Sequence, residues 1–146
     1  MTIYKYQRVI TPGPDGTTLY FKNTDANDAL ELAELDGWWY VFVPDDVTAP
    51  VQPKSIQWQV VVLTPELREQ IKARSSACKL IYNEMQQRIR NKYPIEEEMY
   101  FSRIGIGVAL GVYAFQPGEQ DALLAYGDFV ESVRRWGALE RKKIGL

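Results

Sequence analysis

Histidine is absent from the 146 residues, and cysteine occurs once, as Cys78. The first absence removes the commonest general base and the commonest zinc ligand together. Serine and cysteine hydrolases of the histidine-paired kind are excluded, and an enzymatic reading starts without its usual groups. A single cysteine allows no internal disulfide, which suits a reducing compartment. Long apolar runs are also missing. The longest, Ile104–Phe115, is rich in glycine and falls short of the ~20 residues that a membrane helix needs. The start, MTIYKYQRVI, has no basic stretch followed by an apolar one, so it does not read as a signal peptide. A protein made and dissolved in the cytoplasm is expected.

Net charge is small as well, at −2, which argues against a general nucleic-acid binder. It is unevenly spread. Residues 1–63 hold Lys5, Arg8, Lys22 and Lys54 against eight acids, whereas residues 64–146 hold 13 bases against 11 acids. That asymmetry suggests two parts with different surfaces. A hydrophobic content of 46% and a charged content of 25% are those of an ordinary globular chain, long enough to fold without a disulfide or a metal.

What is present divides at about residue 64. TIYKYQRVI reads as a strand, TPGPDG as a tight turn, and TTLYFK as the returning strand. DANDALELAEL, residues 25–35, reads as a short helix with Asp25 or Asn27 as N-cap, and WWYVFVP reads as a third strand after the Asp36-Gly37 turn. PDDVTAPVQPKS carries three prolines and no periodicity, the texture of a stiff linker, and IQWQVVVL follows as one more strand or an extended arm. Thr64-Pro65-Glu66 is a strong helix start. Leu67, Ile71, Cys78, Ile81, Met85 and Ile89 then form one apolar stripe on a helix of about eight turns, ended by Tyr93-Pro94. A shorter helix is expected from the acids at 96–98. A last one runs from Glu119 to about Arg141, with Leu123, Tyr126, Val130, Val133 and Trp136 on its inner face. The expected fold is α+β: a small β-meander module over residues 1–48, a proline linker and extended strand over 49–63, and a helical hairpin or three-helix unit over 64–146.

IGIGVALG, residues 104–111, approaches the glycine pattern that cradles a dinucleotide pyrophosphate. That pattern works only between a buried strand and the helix that it opens, and here an acidic, helical stretch precedes it. A loop or short strand is expected instead, or an apolar, flexible segment that orders against a partner through Leu110, Val112, Tyr113 and Phe115. No cofactor is implied. Glu96, Glu97 and Glu98 point in three directions on a helix, so they suit the helix start better than a metal or a reaction. Arg68, Lys72, Arg74, Lys79, Arg88, Arg90 and Lys92 form a basic helix without a recognition motif, and Cys78 on the apolar stripe suits the core. Trp38, Trp39 and Tyr40 are adjacent on a strand and must face opposite sides, so one side can be buried while the other anchors a partner.

VVLTPELREQIKARSS, IYNEMQQRIRNKYPIEEEMYFSRIGIG and LLAYGDFVESVRRWGALERKKIGL together resemble the C-terminal region of small bacteriophage tail proteins. The likeness is to tail-fibre assembly proteins and tail accessory proteins. It is carried by a helix opened with LTPEL, an IRxKY segment followed by acids and an arginine, and a final helix ending WGxxERxxxGL. Asn23-Thr24-Asp25 and Val43-Pro44 before the proline stretch are compatible with it. The resemblance implies a non-enzymatic role in the host cytoplasm or on the virion tail. The implied partner is a tail fibre or another tail protein, met through Trp38, Trp39, Tyr40, Leu110, Val112, Tyr113 and Phe115, without nucleic acid or membrane. A phage effector that inhibits a host protein is the alternative. Homo-oligomerisation stays open, because the last helix or another subunit could cover the stripe from Leu67 to Ile89.

Overall fold

A computed structural model describes residues 2–11, 13, 16–22 and 29–146. The chain is α+β. Among the described residues six strands come first, β1 (Thr2–Tyr6), β2 (Val9–Ile10), β3 (Thr18–Leu19), β4 (Leu30–Leu35), β5 (Trp38–Val43) and β6 (Trp58–Val61), and four helices follow, α1 (Pro65–Arg74), α2 (Ser76–Lys92), α3 (Ile95–Ala109) and α4 (Glu119–Lys143). No helix among the described residues is long and apolar enough to cross a membrane. The fold divides into two compact units, residues 1–80 with 141–146, and residues 81–140.

The first unit is built on a four-stranded sheet in the order β4-β5-β1-β6, with β1 antiparallel to both β5 and β6. Both of its faces are covered. Ile3, Tyr40 and Phe42 pack on one side with Ile71 of α1, Cys78 of α2 and Leu146. Tyr6, Val41 and Val43 pack on the other with Phe21, Ala29 and Ile56. Val47 and Ala49 join this second cluster, and Pro50 is buried, so the proline-rich stretch is packed onto the sheet as part of the unit. The Gln52 side-chain amide fastens it, donating to the Lys22 carbonyl at 2.8 Å and accepting from the Lys22 N–H at 2.7 Å.

The first expected strand splits in two. β1 joins the main sheet, while Val9–Ile10 pairs with Thr18–Leu19 in a separate two-stranded ladder. Pro14 and Asp15 of the expected turn, and the N-cap expected at Asp25 or Asn27, lie outside the described residues. From Leu30 onward the expected short helix is instead a strand. Leu35 pairs with Trp38 across Asp36 and Gly37, whose φ values of 51° and 80° make the hairpin turn that Asp-Gly favours. A bulge between Glu31 and Ala33 puts Leu32 and Ala33, at 2% and 6% exposure, both inside. That extra residue breaks the alternation, which is why the segment imitates a helix in sequence.

The expected eight-turn helix is also two. Ser75 is extended (φ −61°, ψ 125°) and fully buried. Its hydroxyl accepts from the Cys78 N–H at 3.4 Å, so it caps α2 after ending α1. The residues of the expected stripe are divided between the two helices, with Ile71 and Cys78 buried and Leu67, Ile81, Met85 and Ile89 half-buried.

In the second unit, α2, α3 and α4 meet around aromatic rings. Phe101 stacks on Tyr126 with centroids 5.1 Å apart, and Tyr93 sets its edge against Tyr126 at 5.1 Å. Val133 is buried, and Met85 lies against Gly137, where an added Cβ would come within 2.3 Å of its sulfur. The first six residues of the expected glycine loop, 104–109, are helix: α3 continues through Gly105 and Gly107 to Ala109.

Candidate functional site

The strand Trp38–Tyr40 spends its aromatics on its own sheet. Tyr40 is 8% exposed and sits in the core, so it offers no surface to a partner. Trp38 is half-covered, with Lys5 Nζ 4.7 Å from its ring centroid. Trp39 faces the opposite side, as adjacent strand residues must, and there the Arg8 guanidinium lies 3.3 Å from its ring and 4.3 Å from that of Tyr20. Arg8 donates to Glu31 Oε2 at 2.9 Å, and the Tyr6 hydroxyl donates to Glu31 Oε1. Burial, and then the Glu31 carboxylate, push the Tyr6 hydroxyl above the ordinary tyrosine range. This network ties β1 to β4 and leaves one of its groups, the buried Arg8 Nε, without a hydrogen-bond partner.

The segment after α3 is different. Leu110 and Val112 are 71% and 79% exposed, Tyr113 lies at the edge of exposure, and Phe115 is half-buried. The chain folds back over the end of the helix: the Val112 and Tyr113 N–H groups donate to the Gly107 carbonyl at 2.9 and 3.1 Å. Gly107 permits this, since a Cβ there would stand 2.8 Å from the Tyr113 Cβ. Gly111 makes the turn at φ 70°. Glu119 at the start of α4 then pins the loop. Its carboxylate accepts from the Tyr100 hydroxyl, from the Tyr113 hydroxyl at 2.9 Å, and from the Gln116 N–H at 2.8 Å. These bonds, the Tyr100 hydroxyl first, hold the Glu119 carboxyl below the usual carboxylate range. They hold the Tyr100 and Tyr113 hydroxyls above the usual tyrosine range. The expected flexible segment is thus a fastened one. It displays Leu110 and Val112 beside a groove of ≈ 290 Å³ lined by Tyr100, Arg103, Ile104, Gly107, Val112 and Tyr113.

A third surface was not among the expected ones. β6 ends the sheet, and among the described residues no strand pairs with its outer edge. Val60 is 64% exposed and Val62, just beyond it, 86%. From Ser55 to Pro65 there is no charged residue. Proteins commonly blunt a free edge with charges, bulges or proline. The other edge of this sheet, β4, has Glu31, Glu34 and a bulge. β6 has none of these. The signal in the sequence is the uncharged QWQVVVL run, but its edge position follows only from the strand order.

The remaining polar clusters carry less chemistry. Glu98 pairs with Arg90 at 3.0 Å, while Glu96 lines the outer side of α3 with Met99, Tyr100 and Arg103, so the three acids diverge. Arg88 pairs with Glu84 at 2.7 Å and lies over Trp136, and Lys72 pairs with Glu69 at 2.8 Å, so acids interrupt the basic helix. A hollow of ≈ 560 Å³ is lined by Glu31, Glu34, Trp39, Arg74 and Lys79 among others, and Glu31 is already engaged by Tyr6 and Arg8. Among the described residues no three Cys, Asp or Glu side chains gather as a metal-ligand set. The chain matches no known family model, no curated protein and no solved structure.

Proposed function

We propose that this chain is a non-enzymatic binding protein of a bacteriophage tail, acting on a tail fibre as assembly chaperone or small tail component. The observation that carries the binding role is the unprotected outer edge of β6. Its free N–H and C=O groups are complementary to an extended backbone, and the exposed Val60 and Val62 favour an apolar one. A fibre chain before trimerisation presents such strands. Pairing them with β6 would keep them from each other until three chains meet. The likeness of the helical half to tail-fibre assembly proteins supplies the identity of the partner.

Co-expression with the cognate fibre tests this. The wild-type chain is expected to raise the yield of soluble, trimeric fibre, and Val60→Lys with Val62→Lys to abolish the gain while leaving the chain folded. Unchanged fibre yield with the wild-type chain would sink the chaperone role. Capture of a host enzyme in place of a fibre would move the reading to a host-directed inhibitor.

A further inference from the structure

The outward side of α3 carries a second regularity. Ile95, Met99, Ser102, Ile106 and Ala109 follow at intervals of four, three, four and three, the spacing of a coiled-coil seam. All five are exposed, Ile95 at 49%, Met99 at 67% and Ile106 at 60%. The inward side is a separate set, Phe101 and Ile104 with Gly105, which packs against Leu123 of α4. α3 therefore has two apolar faces, and only one is used within its unit.

We infer that this face is the seam of an antiparallel homodimer, α3 against α3 of a second copy. Charge selects the occupant and its direction. In an antiparallel pair with Ile95 opposite Ile106 and Met99 opposite Ser102, the flanking positions set Glu96 of each chain against Arg103 of the other, twice by symmetry. Neither Glu96 nor Arg103 is in an ion pair among the described residues, although Arg103 lies over the Tyr100 ring at 5.7 Å. A parallel pair would ask Glu98 to meet Arg103, but Glu98 is already held by Arg90 at 3.0 Å. It would also stack Ser102 on Ser102, leaving a gap, whereas the antiparallel register fits the large Met99 to the small Ser102.

The area sets the strength. With Leu110 at the end of the seam, the exposed apolar side chains present on the order of 500 Å² per chain, below the roughly 800 Å² per partner of a standard interface. A dimer that dissociates at about micromolar concentration follows. This inference does not depend on the fibre reading, since it needs no fibre.

Sedimentation equilibrium of the full chain across that concentration range tests it. A reversible monomer–dimer equilibrium is expected. Glu96→Arg or Arg103→Glu alone should weaken it about tenfold or more, and the two together should restore it. Direction is read by cysteines, with the wild-type chain, whose Cys78 is 8% exposed, as the blank. The double variant Met99→Cys/Ser102→Cys should cross-link into dimers under mild oxidation, and neither single variant should. A chain that stays monomeric throughout overturns the inference. So do single variants that cross-link in register, or charge reversals that leave association unchanged.

Discussion

Two glycines one turn-fraction apart on α3 separate helix propensity from packing, and substituting each by alanine gives opposite results. In a helix interior, alanine in place of glycine is worth about 0.5–1 kcal/mol, largely by restraining the unfolded chain. Gly105→Ala keeps that gain. Its new Cβ lies 3.5 Å from Leu123 Cδ2, an ordinary contact, so the methyl is added without displacement. The expected outcome is stabilisation by about 1 kcal/mol.

Gly107→Ala receives the same propensity term and loses more than it gains. Its Cβ would be 2.8 Å from the Tyr113 Cβ, several tenths of an ångström inside an ordinary contact. The atom in the way is no flexible tip. It is attached to a backbone whose N–H donates to the Gly107 carbonyl at 3.1 Å. Relief requires lifting residues 112–113 off the helix, which loosens the Tyr113 hydroxyl from Glu119. Overpacking of this kind costs about 1–3 kcal/mol, so the net is a loss of roughly 0–2 kcal/mol and a gap of about 2 kcal/mol between the two variants. Thermal unfolding followed by circular dichroism should place the two melting temperatures several degrees apart, at about 4 °C per kcal/mol. If Gly107→Ala stabilises as much as Gly105→Ala, the close approach of the loop to α3 is not real.

Gly145, at φ 83°, ends α4 with the Leu146 N–H bonded to the Arg141 carbonyl at 2.9 Å, and a Cβ there would meet Phe42 Cδ2 at 2.8 Å. Gly145→Ala should therefore cost about 2 kcal/mol in urea unfolding, from a strained φ and from displacing Leu146 out of the core. Ser75→Ala removes the cap of α2 at a fully buried position and should cost about 1 kcal/mol by the same measurement. The loop after α3 should respond to pH in a defined direction. The Glu119 carboxyl is depressed, so its contribution is complete above the ordinary glutamate pKa of about 4.3 and is lost as pH falls through the lower folded value. The raised tyrosines act oppositely: their contribution is complete below about 10 and is lost as pH rises through their higher folded values. Amide exchange at Val112 and Tyr113 should accelerate beyond its intrinsic pH dependence at both extremes, and Glu119→Gln should remove the acid limb.

Local chemistry made much of this fold legible, and tertiary pairing hid the rest. The Thr64-Pro65 start of α1, the Tyr93-Pro94 end of α2 and the inner face of α4 were readable because each depends on neighbours in sequence. β4 was not, because a bulge that only β5 stabilises placed Leu32 and Ala33 on one side. Ser75 was hidden for a related reason. Serine is tolerated within helices, and only its complete burial between α1 and α2 shows that it ends one and begins the other. The glycines at 105 and 107 suggested a loop, since glycine weakens an isolated helix, but here α3 runs through both, and the returning chain needs the space that Gly107 leaves. Of the expected partner residues, Leu110 and Val112 are on the surface, in the loop between α3 and α4. Tyr40 is inside because both faces of the sheet are covered, which a small meander read alone would not suggest.

The two edges of the sheet give the clearest separation between what stability requires and what it does not. β4 carries Glu31 and Glu34 and a bulge, so this chain has the usual means of blunting an edge and uses them. β6 could take a lysine at Val60 with little effect on the fold, since the side chain is 64% exposed and its place in the sheet rests on backbone pairing with β1. A substitution of that kind is worth within about 0.5 kcal/mol. The folded chain therefore gains almost nothing from leaving β6 uncharged, while an open apolar edge invites aggregation. A surface that is a liability to the free protein and no help to its stability is what the proposed strand pairing accounts for. In the same way, the seam on α3 adds nothing to its own three-helix unit, whose centre is already filled by Phe101, Tyr126 and Tyr93. Each unit keeps an apolar surface beyond what its fold consumes, and these are the two surfaces to which the proposals above assign a partner.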